Sequence, residues 1–415
     1  MAFPLTSVRD LASQVAWGQL SITPLDPGVW ALLEPAGSQN HAPQLCWVTP
    51  DLLACVWMAG GQEGTAGMGI VLSLLAAGSG SWCEPQLVSQ DPQRSEQNPL
   101  LYVAGDHLHL VHTAQLSRSL DEPFWESGSN FSMQWTAQLR HQSLPLAALE
   151  PADPTSWGPD AWSRATTLLE QPAFCRHPPL QRPDGRWLLP IYRSLETGGS
   201  FGHDHSQVLL LKADGTAVAS AVGEQMPSVV PFAVPESTGR VHGSIVPSAD
   251  GSGLLQFFRS RLADRIYLSR SGPTGDQWSA PEPIQLPNNN SSIQALRLAS
   301  GRLAMIYNRF CFEPDPESPQ PWGEANWPRT RWPLSIALSA DDGQTWPWIR
   351  DIDTGLGFCG SANWQLNGQL AYPTILEGQP GELHIAYSWA GRAAIRYLCL
   401  AEEEILGLVP ALEGC

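Results

Sequence analysis

The stretches VTPDLLACVW (48–57), VAGDHLHLVH (103–112), RPDGRWLLPIY (182–192), SADGSGLLQFF (248–258), LASGRLAMIYN (298–308) and GQPGELHIAY (378–387) share one pattern, a small polar turn followed by an alternating apolar strand. Asp-Gly, Ser-Gly and related pairs supply the tight reversal, and the period-two apolar run supplies a strand that buries a face. Six copies at intervals of roughly 50 to 80 residues predict one hairpin per sheet, repeated around a ring. The predicted fold class is all-β, a six-bladed β-propeller.

This architecture absorbs all 415 residues as one unit, because the blades share a ring-shaped core. A single domain over 1–415 is therefore expected, with long loop inserts near 115–160 and 309–332. Closing the ring needs a strand from one chain end; VWALL (29–33) is the expected contributor, pairing near 396–400. In a four-stranded meander the first-to-second and third-to-fourth turns share one face. The second-to-third loops and the starts of the innermost strands share the other, which collects the unusual residues and is the predicted site face.

Composition narrows the partners. A net charge of −17 argues against nucleic acid and against anionic membrane, since phosphate binding depends on surplus Lys and Arg. An anionic ligand then requires positive charge gathered locally. The longest apolar run, around 68–77, is far short of the roughly 20 residues of a spanning helix. The start, MAFPLTSVRDLASQ, lacks the basic and apolar segments of a secretory signal, so a soluble cytoplasmic protein is expected. Eight widely and irregularly spaced cysteines form no C-x-x-C pair and read as reduced, buried thiols. No metal or other cofactor is expected.

Longer motifs add a family. SADDGQTW (339–346) matches the S-x-D-x-G-x-T-W turn known as the Asp-box, and 271–278 repeats it in degenerate form. WMAGGQEG (57–64) with GIVLS (69–73), QNPLL (97–101), RWLLPIY (186–192), RIY (265–267), LPNNNS (286–291), IYN (306–308), PLSIALS (333–339) and YP (372–373) follow in order. Over about 40–400 the chain thus resembles the bacterial sialidase-like proteins with BNR (Asp-box) repeats. The resemblance implies an exo-acting glycoside hydrolase of sialidase type that releases a terminal acidic sugar from a glycoconjugate. In such chemistry an arginine cluster binds the sugar carboxylate, a tyrosine replaces the usual carboxylate nucleophile, and a carboxyl group serves as general acid. Carried onto this chain, it implies Arg176, Arg259 and Arg331 as the clamp, Tyr372 as nucleophile and Glu63 as acid/base. Asn98, Asn290, Tyr307 and Asn308 are further candidates for substrate binding.

Each candidate has a structural alternative. Glu63 lies in a Gly-rich loop where a glutamate is often only solvated, Arg331 is flanked by Trp327 and Trp332 and could be a stacked structural residue, and Tyr372 could simply line the channel. The loop His203-Asp204-His205 reads as solvated, and His107, His109 and His112 as structural. Trp125, Trp135, Trp322 and Trp327 suit either sugar platforms or small cores under loops. Two departures from the family favour a non-catalytic glycan-binding propeller: HAPQLC (41–46) has no arginine where sialidases carry F-R-I-P, and Gln294 stands where an Asp is common. A lyase acting on uronic acid is the other alternative, with Tyr372, Tyr307 or a histidine abstracting the proton α to the carboxylate. Asp341 and Asp342 are expected on the far face, without a catalytic role.

Overall fold

The computed structural model describes residues 15–22, 28–118, 134–169, 171–194, 203–220, 228–312, 325–328, 330–355 and 369–407. Its six main sheets succeed one another along the chain, as the sixfold turn-and-strand pattern requires, and form a six-bladed β-propeller. Blade 1 is Gln39–Thr49, Leu52–Gly60, Met68–Ala76 and Gln86–Ser89; blade 2 is Arg94–Ala104, His107–Leu116, Gln138–Pro145 and Thr166–Leu169. In blade 3, Phe174–Cys175 and Leu180–Gln181 form a broken inner strand, followed by Trp187–Arg193, His205–Leu211 and Phe232–Ala233. Blade 4 is Arg240–Pro247, Leu254–Ser260, Arg265–Ser271 and Glu282–Pro287; blade 5 is Gln294–Arg297, Leu303–Asn308, Leu334–Ser339 and Trp348–Asp353. Blade 6 joins Ala371–Glu377, Glu382–Trp389 and Ala394–Ala401 to Val29–Leu33, whose Val29 faces Cys399 and whose Leu33 faces Ile395.

The apolar residues fall into one core per seam between neighbouring blades. Along Leu52–Gly60, Ala54, Val56 and Met58 enter the cluster shared with blade 2, while Leu53, Cys55 and Trp57 enter the cluster shared with blade 6. A strand buried on both faces needs apolar residues at consecutive positions, which is why LLACVWMA is continuous rather than alternating.

Polar stitches cross the same six seams. Leu101 N donates to Gln44 Oε1 (2.8 Å), Cys175 N to Thr113 Oγ1 (3.3 Å), and Ser206 Oγ to Arg240 O (2.7 Å). Ala295 N donates to Ser244 Oγ (3.1 Å) and Leu45 N to Thr374 Oγ1 (3.5 Å). Gln294 spans the seam to blade 6 with both ends of its amide, donating to Ile375 O and accepting from Ile375 N, each at 3.1 Å. Its side chain is a brace between inner strands, so the residue that departs from the family's Asp has a structural task here.

The start of each inner strand is bent away from its ladder. Ala42, Asn98, His242, Asn290 and Tyr372 all have φ between 50° and 56°, and pairing shifts register beside four of them. A non-glycine residue in this region costs about 1–2 kcal/mol, and such bulges re-aim side chains at strand ends. Blade 3 reaches the same result by leaving Arg176-His177-Pro178 between its two short inner segments. On the opposite face, Asp342 binds Arg297 and accepts from Ala249 N in the first turn of blade 4. The turn that holds it is closed by Asp341, which accepts from Thr345 N and Ser339 Oγ.

Replacing Gln294 with Ala strips both partners from the buried Ile375 amide. Leaving two such groups unsatisfied is expected to lower unfolding stability by about 2–4 kcal/mol, measured in urea. A change below about 0.5 kcal/mol would show that the stitch is dispensable.

Candidate active site

Tyr372 stands where residues of several blades converge. The His41 ring from blade 1 packs at 4.2 Å between centroids, and His242 from blade 4 meets it edge-on at 5.4 Å. The guanidinium carbons of Arg176, Arg259 and Arg331 lie 5.4, 5.5 and 5.6 Å from the phenol centroid. Arg259 comes from the end of the second strand of blade 4, Arg176 from the break in blade 3, and Arg331 from the segment preceding the third strand of blade 5. The structure therefore brings together all three arginines read as a clamp.

Each arginine is held differently. Arg259 NH1 donates to the Tyr372 hydroxyl at 2.7 Å, and its Nε donates to Asn290 Oδ1 at 2.7 Å. Arg176 Nη2 donates to the carbonyls of Tyr372, Pro373 and Pro43, whereas its buried Nε and Nη1 have no partner among the described residues. Leu370 N donates to Arg331 O at 2.9 Å, which fixes that backbone against the approach to Tyr372. Among the described residues none of the three is ion-paired with a carboxylate. Arg176 and Arg259 are each 1% exposed. A buried charge without an opposite partner is costly, and an anionic ligand would supply the missing partner.

These charges set the ionisation of their surroundings. Burial pulls Arg176 and Arg331 down to about 10, and both remain cationic at neutral pH. Burial, reinforced by the arginines, holds His41 and His242 well below the ordinary histidine value, so both rings are neutral. Burial alone would raise the Tyr372 phenol. Arg259 and Arg331 outweigh it, aided by the Arg259 hydrogen bond, and the phenol lies below its usual value.

Glu63 is the acidic member of this group. Its carboxylate Oε2 accepts from Arg392 NH1 at 2.5 Å, and Arg392 also donates to Gln39 Oε1 at 3.2 Å. Burial pushes the carboxyl up, but Arg392, then Arg331 and Arg259, hold it below the usual range. The side chain keeps 39% of its surface open. Arg392 lies in the loop after the second strand of blade 6, at φ 77°, where it closes the gap between blades 6 and 1.

The other candidates divide. Asn290 fixes Arg259 and donates from Nδ2 to Asn326 O at 2.7 Å, so it positions the clamp. Asn98 takes the left-handed bend of blade 2, and its carbonyl accepts from Cys175 Sγ beside Arg176. Tyr307, read as a substrate-binding candidate, is fully buried in the cluster between blades 4 and 5 that also holds Phe257, Met305 and Trp346. Its neighbour Asn308 donates from Nδ2 to Leu370 O at 2.8 Å, two residues before Tyr372. The loop read as solvated around Asp204 is partly buried: Asp204 is 1% exposed and ion-paired to Arg261 at 2.7 Å. That arginine, rather than Arg331, stacks on Trp327, at 5.4 Å. Trp125 and Trp322 lie outside the described residues.

With this geometry in place, comparison with known proteins decides the family. A model of the BNR repeat-like domain matches residues 51–385. The chain belongs to the BNR repeat-like family. No curated relative matches the sequence. Among solved structures, the NanB sialidase of Streptococcus pneumoniae is similar with a TM-score of 0.63 at 10% identity, covering 96% of this chain and 73% of that one. A leech intramolecular trans-sialidase complexed with 2,7-anhydro-Neu5Ac gives 0.61 at 12%, covering 97% and 73%. A Hadza microbial sialidase, Hz136, gives 0.61 at 12%, covering 88% of this chain, which spans 66% of that one. At these identities the likeness shows the shared fold.

For this BNR-family chain, sequence reasoning missed Arg392, His41, His242 and Gln39. Arg392 and Glu63 are 329 residues apart and meet only through ring closure. Replacing Arg259 with Gln removes the nearest positive charge from Tyr372, so the phenol is expected to titrate at higher pH. Phenolate difference absorbance, with Tyr372→Phe as the baseline, measures it; an unmoved titration would show that the arginines do not govern this phenol.

Proposed function

We propose that the protein is an exo-acting glycoside hydrolase of sialidase type that removes a terminal acidic sugar. The single observation that carries this reading is a phenol ringed by three guanidinium groups, none of them ion-paired to a carboxylate among the described residues. Guanidinium clusters suit planar carboxylates, and a carboxylate nucleophile would be repelled by such a substrate where a phenol is not. The sugar carboxylate takes the free donors of Arg176 together with Arg331, and Arg259 steadies the Tyr372 oxygen as it gains negative charge.

In the first step Tyr372 Oη bonds to the anomeric carbon and the bond to the aglycone oxygen breaks. Glu63 enters ionised, so the proton it delivers to the leaving oxygen is the one that Tyr372 releases. Water then attacks the anomeric carbon, the tyrosyl bond breaks, and Tyr372 recovers its proton through Glu63. No metal or other cofactor takes part.

Turnover of aryl glycosides of sialic, 2-keto-3-deoxy and uronic acids tests the assignment. One acidic donor is expected to react, with Tyr372→Phe and Glu63→Gln each losing roughly 10²–10⁴-fold. Silence with all donors would contradict a hydrolase, and an unsaturated sugar product absorbing in the ultraviolet would identify a lyase instead.

A carboxyl group held low stays ionised near neutrality, the state in which Glu63 enters the first step. Replacing Arg392 with Gln removes its strongest stabilising charge and raises the Glu63 pKa. The protonated fraction then persists to higher pH. For donors with poor leaving groups, the acidic limb of the kcat/KM profile is expected to move upward in pH; an unmoved limb would separate Glu63 from leaving-group protonation.

A further inference from the structure

We propose that Glu382, His384 and Cys399 form a zinc site on the face opposite Tyr372, independent of the sugar site. Glu382 and His384 lie two residues apart on the second strand of blade 6, and Cys399 is the cross-strand partner of His384 on the third. Residues two apart share a face of the sheet, and directly opposed partners on that face have adjacent Cβ atoms. The three ligand atoms accordingly lie within 4.8 Å of one another.

Their polar contacts converge on one carboxylate oxygen, Glu382 Oε1. The His384 Nδ1 atom is engaged by the Tyr397 hydroxyl at 2.7 Å, an outer partner of the kind that orients a metal-bound imidazole. Its Nε2 stands 3.0 Å from Glu382 Oε1, in a setting where His384 is 5% exposed. Cys399 Sγ is 3.6 Å from the same oxygen. Tetrahedral zinc with bonds of about 2.0–2.3 Å places its ligand atoms about 3.3–3.7 Å apart, so small side-chain adjustments suffice.

The donor set selects the metal. Thiolate, imidazole and carboxylate together suit zinc, whereas calcium and magnesium take oxygen ligands. On binding, the Cys399 thiol gives its proton to solvent and its sulfur bonds to the metal. Glu382 and Cys399 line a cavity of about 760 Å³ that also includes Ser300, Gln379 and Glu402, leaving the fourth position open to water. Because Cys399 pairs with Val29 on its other side, the metal fastens the sheet at the strand that closes the ring.

Cobalt(II) titration of the full chain, stripped with chelator and kept reduced, tests the site. One equivalent is expected to give a thiolate-to-cobalt charge-transfer band that zinc abolishes and Cys399→Ser lacks. Glu382→Gln keeps the thiol and imidazole and changes a half-exposed side chain, so it decides the matter if Cys399→Ser or His384→Ala fails to fold. Loss of an outer partner alone costs 10–100-fold in affinity, so loss of this direct ligand is expected to weaken cobalt binding by at least about tenfold. No band in the parent, a band retained in folded Cys399→Ser, or unchanged affinity in Glu382→Gln would overturn the proposal.

Discussion

Three guanidinium groups around one phenol, two of them buried and none ion-paired to a carboxylate among the described residues, are the interaction on which this reading of the molecule depends. Their mutual repulsion and lost hydration oppose folding, so the scaffold has to hold them. The propeller does this by taking each from a different part of the ring. Carbonyls of blades 1 and 6 grip Arg176, Asn290 of blade 5 grips Arg259, and the backbone leading to Tyr372 pins Arg331. The seam cores and polar stitches resist the opening that would relieve the repulsion.

The same arrangement resolves an apparent conflict in charge. A chain at −17 is a poor partner for an anion at long range, yet around Tyr372 it gathers Arg176, Arg259, Arg331 and Arg392 beside Glu63. An anionic ligand is attracted only once it reaches this face, where low exposure strengthens each contact. The missing first-blade arginine is matched by a neutral His41 packed on Tyr372, while Arg392 from blade 6 supplies positive charge at the boundary with blade 1.

The ring was legible in the sequence because a turn and a period-two strand are local signals, repeated six times. The convergence of Arg176, Arg259 and Arg331 on Tyr372 was legible through the family resemblance, and through loop and strand-end positions that share one face in a four-stranded meander. Tyr307 and Asn308 could not be sorted by parity, since both faces of the second strand are buried and no alternation marks which one looks toward the axis. Arg392 was hidden because its partner is near the other end of the chain. The bend at Tyr372 was hidden because a tyrosine does not signal a left-handed backbone. The Glu382, His384 and Cys399 group has no linear signature, as two of its members meet only across a strand pair.

The most direct measurement of the central claim is calorimetric binding of an unsaturated sialic acid analogue, as the free acid and as its methyl ester. Charge-assisted hydrogen bonds contribute about 1.5–3 kcal/mol each, so two lost on esterification correspond to roughly 100-fold or more in affinity. The account expects that difference in the parent and its near disappearance in Arg331→Gln. Equal binding of acid and ester, or no binding of either, would contradict a carboxylate clamp.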